Sequence, residues 1–197
     1  MLPMGAKRKA IAAITFVLLT APAVNASAEA QTAAAVRPGA VELHFAPTEN
    51  LERIDLGLLG TARKSVDLAA YNLSDHAVIQ ALCRLSQAGV RVRVYLDGEQ
   101  LANTLRQALP THPLYRLARE PHAEVRVKQA KGLMHLKAYL VDGQVLRTGS
   151  SNFSASGLKR QDNDLLIVRD AIVAQQFVRT FERLWARPDN RVWRPER

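Results

Sequence analysis

His135 and Lys137 stand two residues apart in MHLKAYLVDGQVLRTGSSNFS (134–154), and Asp142, Gly149, Ser150 and Asn152 follow them. The intervening residues are mostly apolar and read as strand. In a strand, residues i and i+2 point to one face, so an imidazole and an ammonium share a side. Asp142-Gly143 is a strong turn signal, which makes 135–149 a β-hairpin. With a two-residue loop, Val141 pairs with Gln144, His135 pairs with Ser150, and Asn152 joins the same face. A three-residue loop spoils that parity. Such a face suits a phosphate. Lys137 supplies charge, Ser150 and Asn152 supply neutral donors, and Gly149 lets backbone come close. His135, with an unperturbed pKa near neutrality, can attack phosphorus or move a proton.

The elements that must position this hairpin alternate along the chain. Residues 41–47 read as a strand, and 48–63 as a helix capped by Thr48. Residues 64–73 form a strand, and 74–89 a helix capped by Ser74 or Asp75 and closed by Gly89. A strand at 90–97 leads into a helical stretch, 98–119, broken near Pro110 and Pro113. Strands at 123–129 and 164–170 and an amphipathic helix at 171–187 complete the pattern. Alternating β and α elements predict a layered α/β domain with a mixed sheet, a single domain over 41–190.

The spacing His135-x-Lys137, four residues, Asp142, six residues, Gly149-Ser150-x-Asn152 resembles the HKD signature of the phospholipase D superfamily at every position. The likeness extends to HFAPTENLERIDLGLLGTARKSVDLAAYNLSDHAVIQAL and to GVRVRVYLD, and is greatest to the short, single-motif, Nuc-type exported endonucleases of bacteria. It implies a phospholipase D-like α-β-α sandwich with a mixed central sheet. By the same resemblance His135 is the nucleophile that forms a phosphohistidine. Lys137 and Asn152 hold the non-bridging phosphate oxygens, Ser150 supports them, and Asp142 is structural or orienting. Many relatives carry a Glu beyond the Gly-Ser-x-Asn run that orients the histidine. Ungapped counting puts Asn163 there, with Asp162 and Asp164 one residue to either side; Asp164 is favoured as the stronger helper.

The superfamily's two-step chemistry uses two such histidines, one as nucleophile and one as general acid. Of the five histidines here, only His135 has a lysine two residues later; His44, His76, His112 and His122 do not. The second must come from another copy, so a homodimer sharing its active site about a two-fold axis is expected. No metal or other cofactor is implied, because acidic residues do not cluster in a Mg²⁺-like pattern and His plus Lys replace a metal's charge neutralisation.

The address and the charge bear on the substrate. Residues 1–28 have a basic start (Lys7, Arg8, Lys9), an apolar run and a small-residue end at Ala26-Ser27-Ala28, the pattern of a secretory signal peptide. The apolar run is short for a membrane span; an uncleaved anchor is the alternative to a cleaved leader. Residues 29–40 read as a linker. The protein is therefore expected to be exported, periplasmic or secreted. The 197-residue chain carries +9, and the leader holds three basic and no acidic residues, so +6 remains after cleavage. A basic excess favours polyanionic partners, nucleic acid above all. Arg91, Arg93, Lys128, Lys131, Lys159 and Arg160 are candidate phosphate contacts. Aromatic residues are only 6% of the chain, which argues for backbone recognition over base stacking. A phospholipid substrate fits the same motif. A non-catalytic nucleic-acid-binding module fits less well, since a binder has no need of His135. The lone Cys83 lies on an apolar helical face and cannot form an internal disulfide. Phosphodiester hydrolysis is expected to persist in EDTA; loss of turnover that Mg²⁺ restores would overturn the metal-independent scheme.

Overall fold

A computed structural model of the protein describes residues 41–107 and 111–195. The expected leader (1–28), linker (29–40) and the break near Pro110 lie outside those residues. In chain order the elements are β1 (Val41–Ala46), α1 (Leu51–Leu59), β2 (Ser65–Ala70), α2 (His76–Gln87), β3 (Arg91–Asp97), α3 (Gly98–Gln107), α4 (Pro113–Leu117), β4 (Ala123–Lys128), β5 (Lys137–Val141), β6 (Val145–Thr148), α5 (Ala155–Lys159), β7 (Asn163–Val168), α6 (Ala171–Trp185) and β8 (Arg191–Val192).

The strands form one sheet in the order β1-β7-β6-β5-β2-β3-β4-β8. β2, β3 and β4 are parallel, and every other pairing is antiparallel. Alternation along the strands builds two cores. Leu68, Val94 and Tyr139 point to one face, where Leu51, Leu59, Ile79 and Leu82 of α1 and α2 cover them. Ala69, Tyr95, Ala138 and Leu140 point to the other, under Ala174, Phe181 and Trp185 of α6. This is the expected α-β-α sandwich with a mixed sheet.

Local signals decide the helix ends. Asn50, not Thr48, caps α1: its side chain accepts from Arg53 N at 3.2 Å, while the Thr48 hydroxyl donates to Phe45 O at 2.8 Å. Asp75 caps α2, accepting from Val78 N at 3.1 Å, and Gly89 closes that segment at φ +87°. The short α5 and β8 were not anticipated.

The hairpin differs from the two-residue reading. Asp142 and Gly143 both take positive φ (51° and 72°), and Gln144 N donates to Val141 O at 2.9 Å. The strand register nevertheless pairs Val141 with Val145 and Tyr139 with Arg147. The loop is thus effectively three residues, and His135 is not the partner of Ser150. Moreover β5 starts at Lys137 and β6 ends at Thr148, so His135, Ser150 and Asn152 all lie beyond the paired region.

What fixes those flanks instead is Arg147, which is wholly buried. Its Nε and Nη2 donate to the two oxygens of Asp55 on α1 at 2.9 and 3.0 Å. Nη1 donates to Lys137 O at 3.0 Å and Ser151 O at 3.3 Å, and Nη2 also donates to Ser151 Oγ at 2.6 Å. Tyr139 OH donates to Asp55 Oδ1 at 3.0 Å. Burial pushes the Asp55 carboxyl upward, against the pull of Arg147 and Tyr139. Removing one partner of a buried pair costs about 3–5 kcal/mol, whereas replacing both by apolar groups is often neutral. Here the carbonyls of Lys137 and Ser151 would still be orphaned, at roughly 1–3 kcal/mol. Asp55→Leu is therefore expected to lose about 3–5 kcal/mol in urea denaturation. Asp55→Leu/Arg147→Met should stay about 1–3 kcal/mol below wild type; full recovery would mean that the carbonyl bonds contribute nothing.

Candidate active site

The carboxyl ends of β2 and β3, the entry to β5 and the exit from β6 meet along one edge of the sheet, the usual place for ligands in α/β sheets. His135 sits there, exposed, in the extended lead-in to β5. Tyr71 N donates to Leu136 O at 2.8 Å, tying that lead-in to the end of β2. The Tyr71 ring centroid lies 4.7 Å from the His135 imidazole, tilted by 56°, and the Lys137 ammonium stands 5.1 Å from the same ring. Lys137 Nζ donates to His135 O at 2.8 Å. Lys137 is only 7% exposed, and burial lowers its pKa. A poorly hydrated ammonium interacts strongly with an incoming phosphate.

The loop before His135 is held from below. Asp97 Oδ2 accepts from Met134 N at 2.9 Å. Lys128 Nζ donates to Ala130 O at 3.2 Å, to Lys131 O at 2.9 Å and to Gly132 O.

On the opposite flank, Phe153 N donates to Asn72 O at 3.1 Å, and Ser74 N and Asp75 N both donate to Phe153 O at 2.8 Å. Asn152 is thereby fixed beside the end of β2. The Oδ1 atoms of Asn152 and Asn72 are both buried without a hydrogen-bond partner. Unpaired buried acceptors are uncommon, and two at this edge fit a site completed by water or by a ligand's donor. Gly149 lets the motif lie directly against β7: at φ +146° an added Cβ would lie 2.4 Å from Asp164 O.

Ser150 is engaged elsewhere. Its hydroxyl donates to Asn163 Oδ1 at 3.0 Å and accepts from Asp164 N at 2.9 Å, and its own N–H donates to Asp164 Oδ1 at 3.1 Å. Ser150 thus stitches the motif to β7. Asn163 Nδ2 also donates to Gly157 O at 3.0 Å and to Gln161 Oε1 at 3.3 Å, and Asp164 O accepts from Ser151 N at 3.3 Å; these bonds tie both residues to the motif's flank and to α5, away from His135. Asp162 is exposed.

Asp142 is structural. Its carboxylate accepts from Arg63 N (3.0 Å to Oδ2), Lys64 N (2.8 Å) and Ser65 N (2.9 Å), pinning the hairpin tip to the start of β2. Most of the proposed cationic contacts are also spoken for. Arg93 bonds Asp67 at 2.7 Å and also pairs with Glu182, and Arg91 reaches Asp67 at 3.4 Å. Lys159 pairs with Glu52 and lies 3.9 Å from Asp75. Lys128 is the loop clamp already described. Lys131 and Arg160 remain exposed.

Three residues escaped sequence reasoning. Tyr71 looked like the tail of a strand; its place directly after the buried run of β2 was the available signal. Asp55 and Arg147 each interrupt an apolar pattern, in ERIDLGLLG and QVLRTG, which marks paired burial only when both are read together. Among the described residues no group of three or more His, Cys, Asp or Glu gathers as a metal site.

Residues 56–185 match the family described as "Cardiolipin synthase, PLD-like domain". The chain belongs to this phospholipase D-like family. It is 33% identical over 137 residues to a mitochondrial cardiolipin hydrolase of Xenopus laevis, covering 70% of this chain and 61% of that protein. It is 28% identical over 137 residues to a phospholipase D of Rickettsia bellii, covering 70% of this chain and 65% of the relative. The chain thus spans under two thirds of the length of these relatives. In three dimensions it is similar to Nuc from Salmonella typhimurium, with TM-score 0.66 and 19% identity over 79% of this chain and 98% of that one. NucT from Helicobacter pylori gives TM-score 0.63 and 21% identity over 74% and 94%. These two likenesses establish the fold.

The three backbone N–H groups hold the Asp142 pKa below its ordinary value, against a raising effect of burial. A depressed carboxylate stabilises above its unfolded pKa, about 4, and that stabilisation fades as pH falls through the lower folded value. Asp142→Asn is expected to be less stable than wild type at neutral pH. The two denaturation midpoints should converge as the solution is acidified; a gap independent of pH would assign the effect to packing.

Proposed function

We propose that the protein is a metal-independent phosphodiesterase, a nuclease of low sequence preference that works as a homodimer. The observation that carries this is an exposed imidazole, His135, beside a nearly buried ammonium, Lys137, at the ligand-binding edge of the sheet. His135 attacks phosphorus as the bond to the leaving oxygen breaks, and the His135 of the second copy gives that oxygen a proton. Water, deprotonated by the second histidine, then attacks the phosphohistidine, breaks the P–N bond and releases the phosphate monoester. Lys137 and the Asn152 amide neutralise and orient the non-bridging oxygens. The basic charge, the expected export and the motif's resemblance to the Nuc-type endonucleases favour DNA or RNA. In this reading the leader delivers the enzyme to the periplasm or beyond.

A phospholipid substrate is the second reading, favoured by the names of relatives in Xenopus and Rickettsia. Purified protein should be tested on plasmid DNA, RNA, cardiolipin and phosphatidylcholine. Nucleic acid cleavage that is abolished in His135→Ala is the expected result. Headgroup release without nucleic acid cleavage would select the lipid reading, and activity surviving in His135→Ala would overturn both.

A further inference from the structure

His135 is the reactive group of the proposed chemistry, and it is exposed. An exposed side chain hops between rotamers within picoseconds to nanoseconds, whereas attack on phosphorus needs the ring nitrogen held in a narrow range of approach. Something must restrict the imidazole. Asn163 and Asp164 are bonded to Ser150. Among the described residues the hydrogen bond at His135 is to its backbone carbonyl, from Lys137 Nζ at 2.8 Å, and leaves the ring unbonded. What does meet the imidazole is the ring of Tyr71. The two centroids are 4.7 Å apart and the planes tilt by 56°, inside the roughly 4.5–7 Å range of paired aromatic rings.

Tyr71 is anchored for such a part. It follows directly on the buried end of β2, where Ala70 pairs with Lys137. Its N–H donates to Leu136 O at 2.8 Å, and the next carbonyl, of Asn72, accepts from Phe153 N at 3.1 Å. Residues 71 and 72 are thereby tied to both halves of the motif. The Tyr71 ring also lies 5.1 Å from the Lys137 ammonium, within the about 6 Å over which an aromatic face attracts a cation. One half-buried ring thus touches both members of the His-x-Lys pair. We propose that Tyr71 is a positioning residue for His135: its ring, not its hydroxyl, holds the imidazole in the orientation for attack and shelters the Lys137 ammonium beside it. The inference rests on the phosphodiesterase reading of His135.

The test compares Tyr71→Phe and Tyr71→Leu in the full chain on bis(p-nitrophenyl) phosphate, a diester whose leaving group departs without a proton donor. Circular dichroism should stay native in both. Tyr71→Leu is expected to lose roughly tenfold to hundredfold in kcat, with kcat/KM falling by the same factor, which marks lost geometry and not lost ground-state binding. Tyr71→Phe should recover most of that loss. The His135 ring protons give a readout independent of turnover. Their NMR signals are displaced by the ring current of Tyr71, and the displacement should vanish in Tyr71→Leu and persist in Tyr71→Phe. Full kcat in Tyr71→Leu overturns the inference, and a rise in KM alone overturns it by assigning the ring to substrate binding. A loss in Tyr71→Phe equal to that in Tyr71→Leu assigns the effect to the hydroxyl and also overturns it. Active wild type whose His135 signals do not move in Tyr71→Leu overturns the inference alone. Wild type inert on this diester, on nucleic acid and on lipid overturns the phosphodiesterase reading and the inference with it.

Discussion

One guanidinium organises the candidate site. Arg147 uses every N–H it has: two bonds hold Asp55 of α1, and three reach Lys137 O, Ser151 O and Ser151 Oγ. Its plane also lies 4.4 Å from the Phe153 ring. A buried ion pair is weak evidence for net stability, since desolvation offsets much of the attraction. Its evident contribution is geometric. The strands that carry His135-x-Lys137 and Gly149-Ser150-x-Asn152 cease to pair just where the motif residues begin. No ladder joins the two flanks to each other there, and Arg147 supplies bonds to both sides at once.

Around that hub each remaining flank has its own tie. Asp142 gathers the amides that open β2. Ser150, Asn163 and Asp164 bind the motif to β7, and Lys128 gathers the carbonyls of the loop before His135. The side chains left for chemistry are few: an imidazole, an ammonium under an aromatic ring, and two amides with unmatched oxygens. Pre-organisation of this kind costs nothing at the moment of reaction, because charged and polar groups are already held in place.

Much of this was legible in the sequence, and the parts that were not share a cause. Strand alternation and turn signals located the elements, since each depends on neighbours within a few residues. The spacing around His135 pointed to the family, and the Asp142-Gly143 pair marked the turn that the backbone makes. The bonds of Ser150 to β7 had no local signal, because a serine hydroxyl accepts and donates with equal ease and its partners depend on a strand that approaches from beyond α5. The hairpin parity failed for a similar reason: a positive-φ Asp-Gly pair fits the two-residue turn, and the shift by one residue is visible only in the strand register. Asp55 and Arg147 are 92 residues apart. No local pattern joins them, and each alone resembles an ordinary polar position on an amphipathic element.

The pairing of β1 with β7 has a consequence for how the molecule comes into being. Val41, the start of the first strand, is matched to Val168, near the end of the domain. During synthesis the opening strand therefore has no partner until almost the whole chain has emerged. Its hydrogen-bonding edge and its apolar side chains stay unclaimed throughout that interval, and such late, long-range closure slows folding.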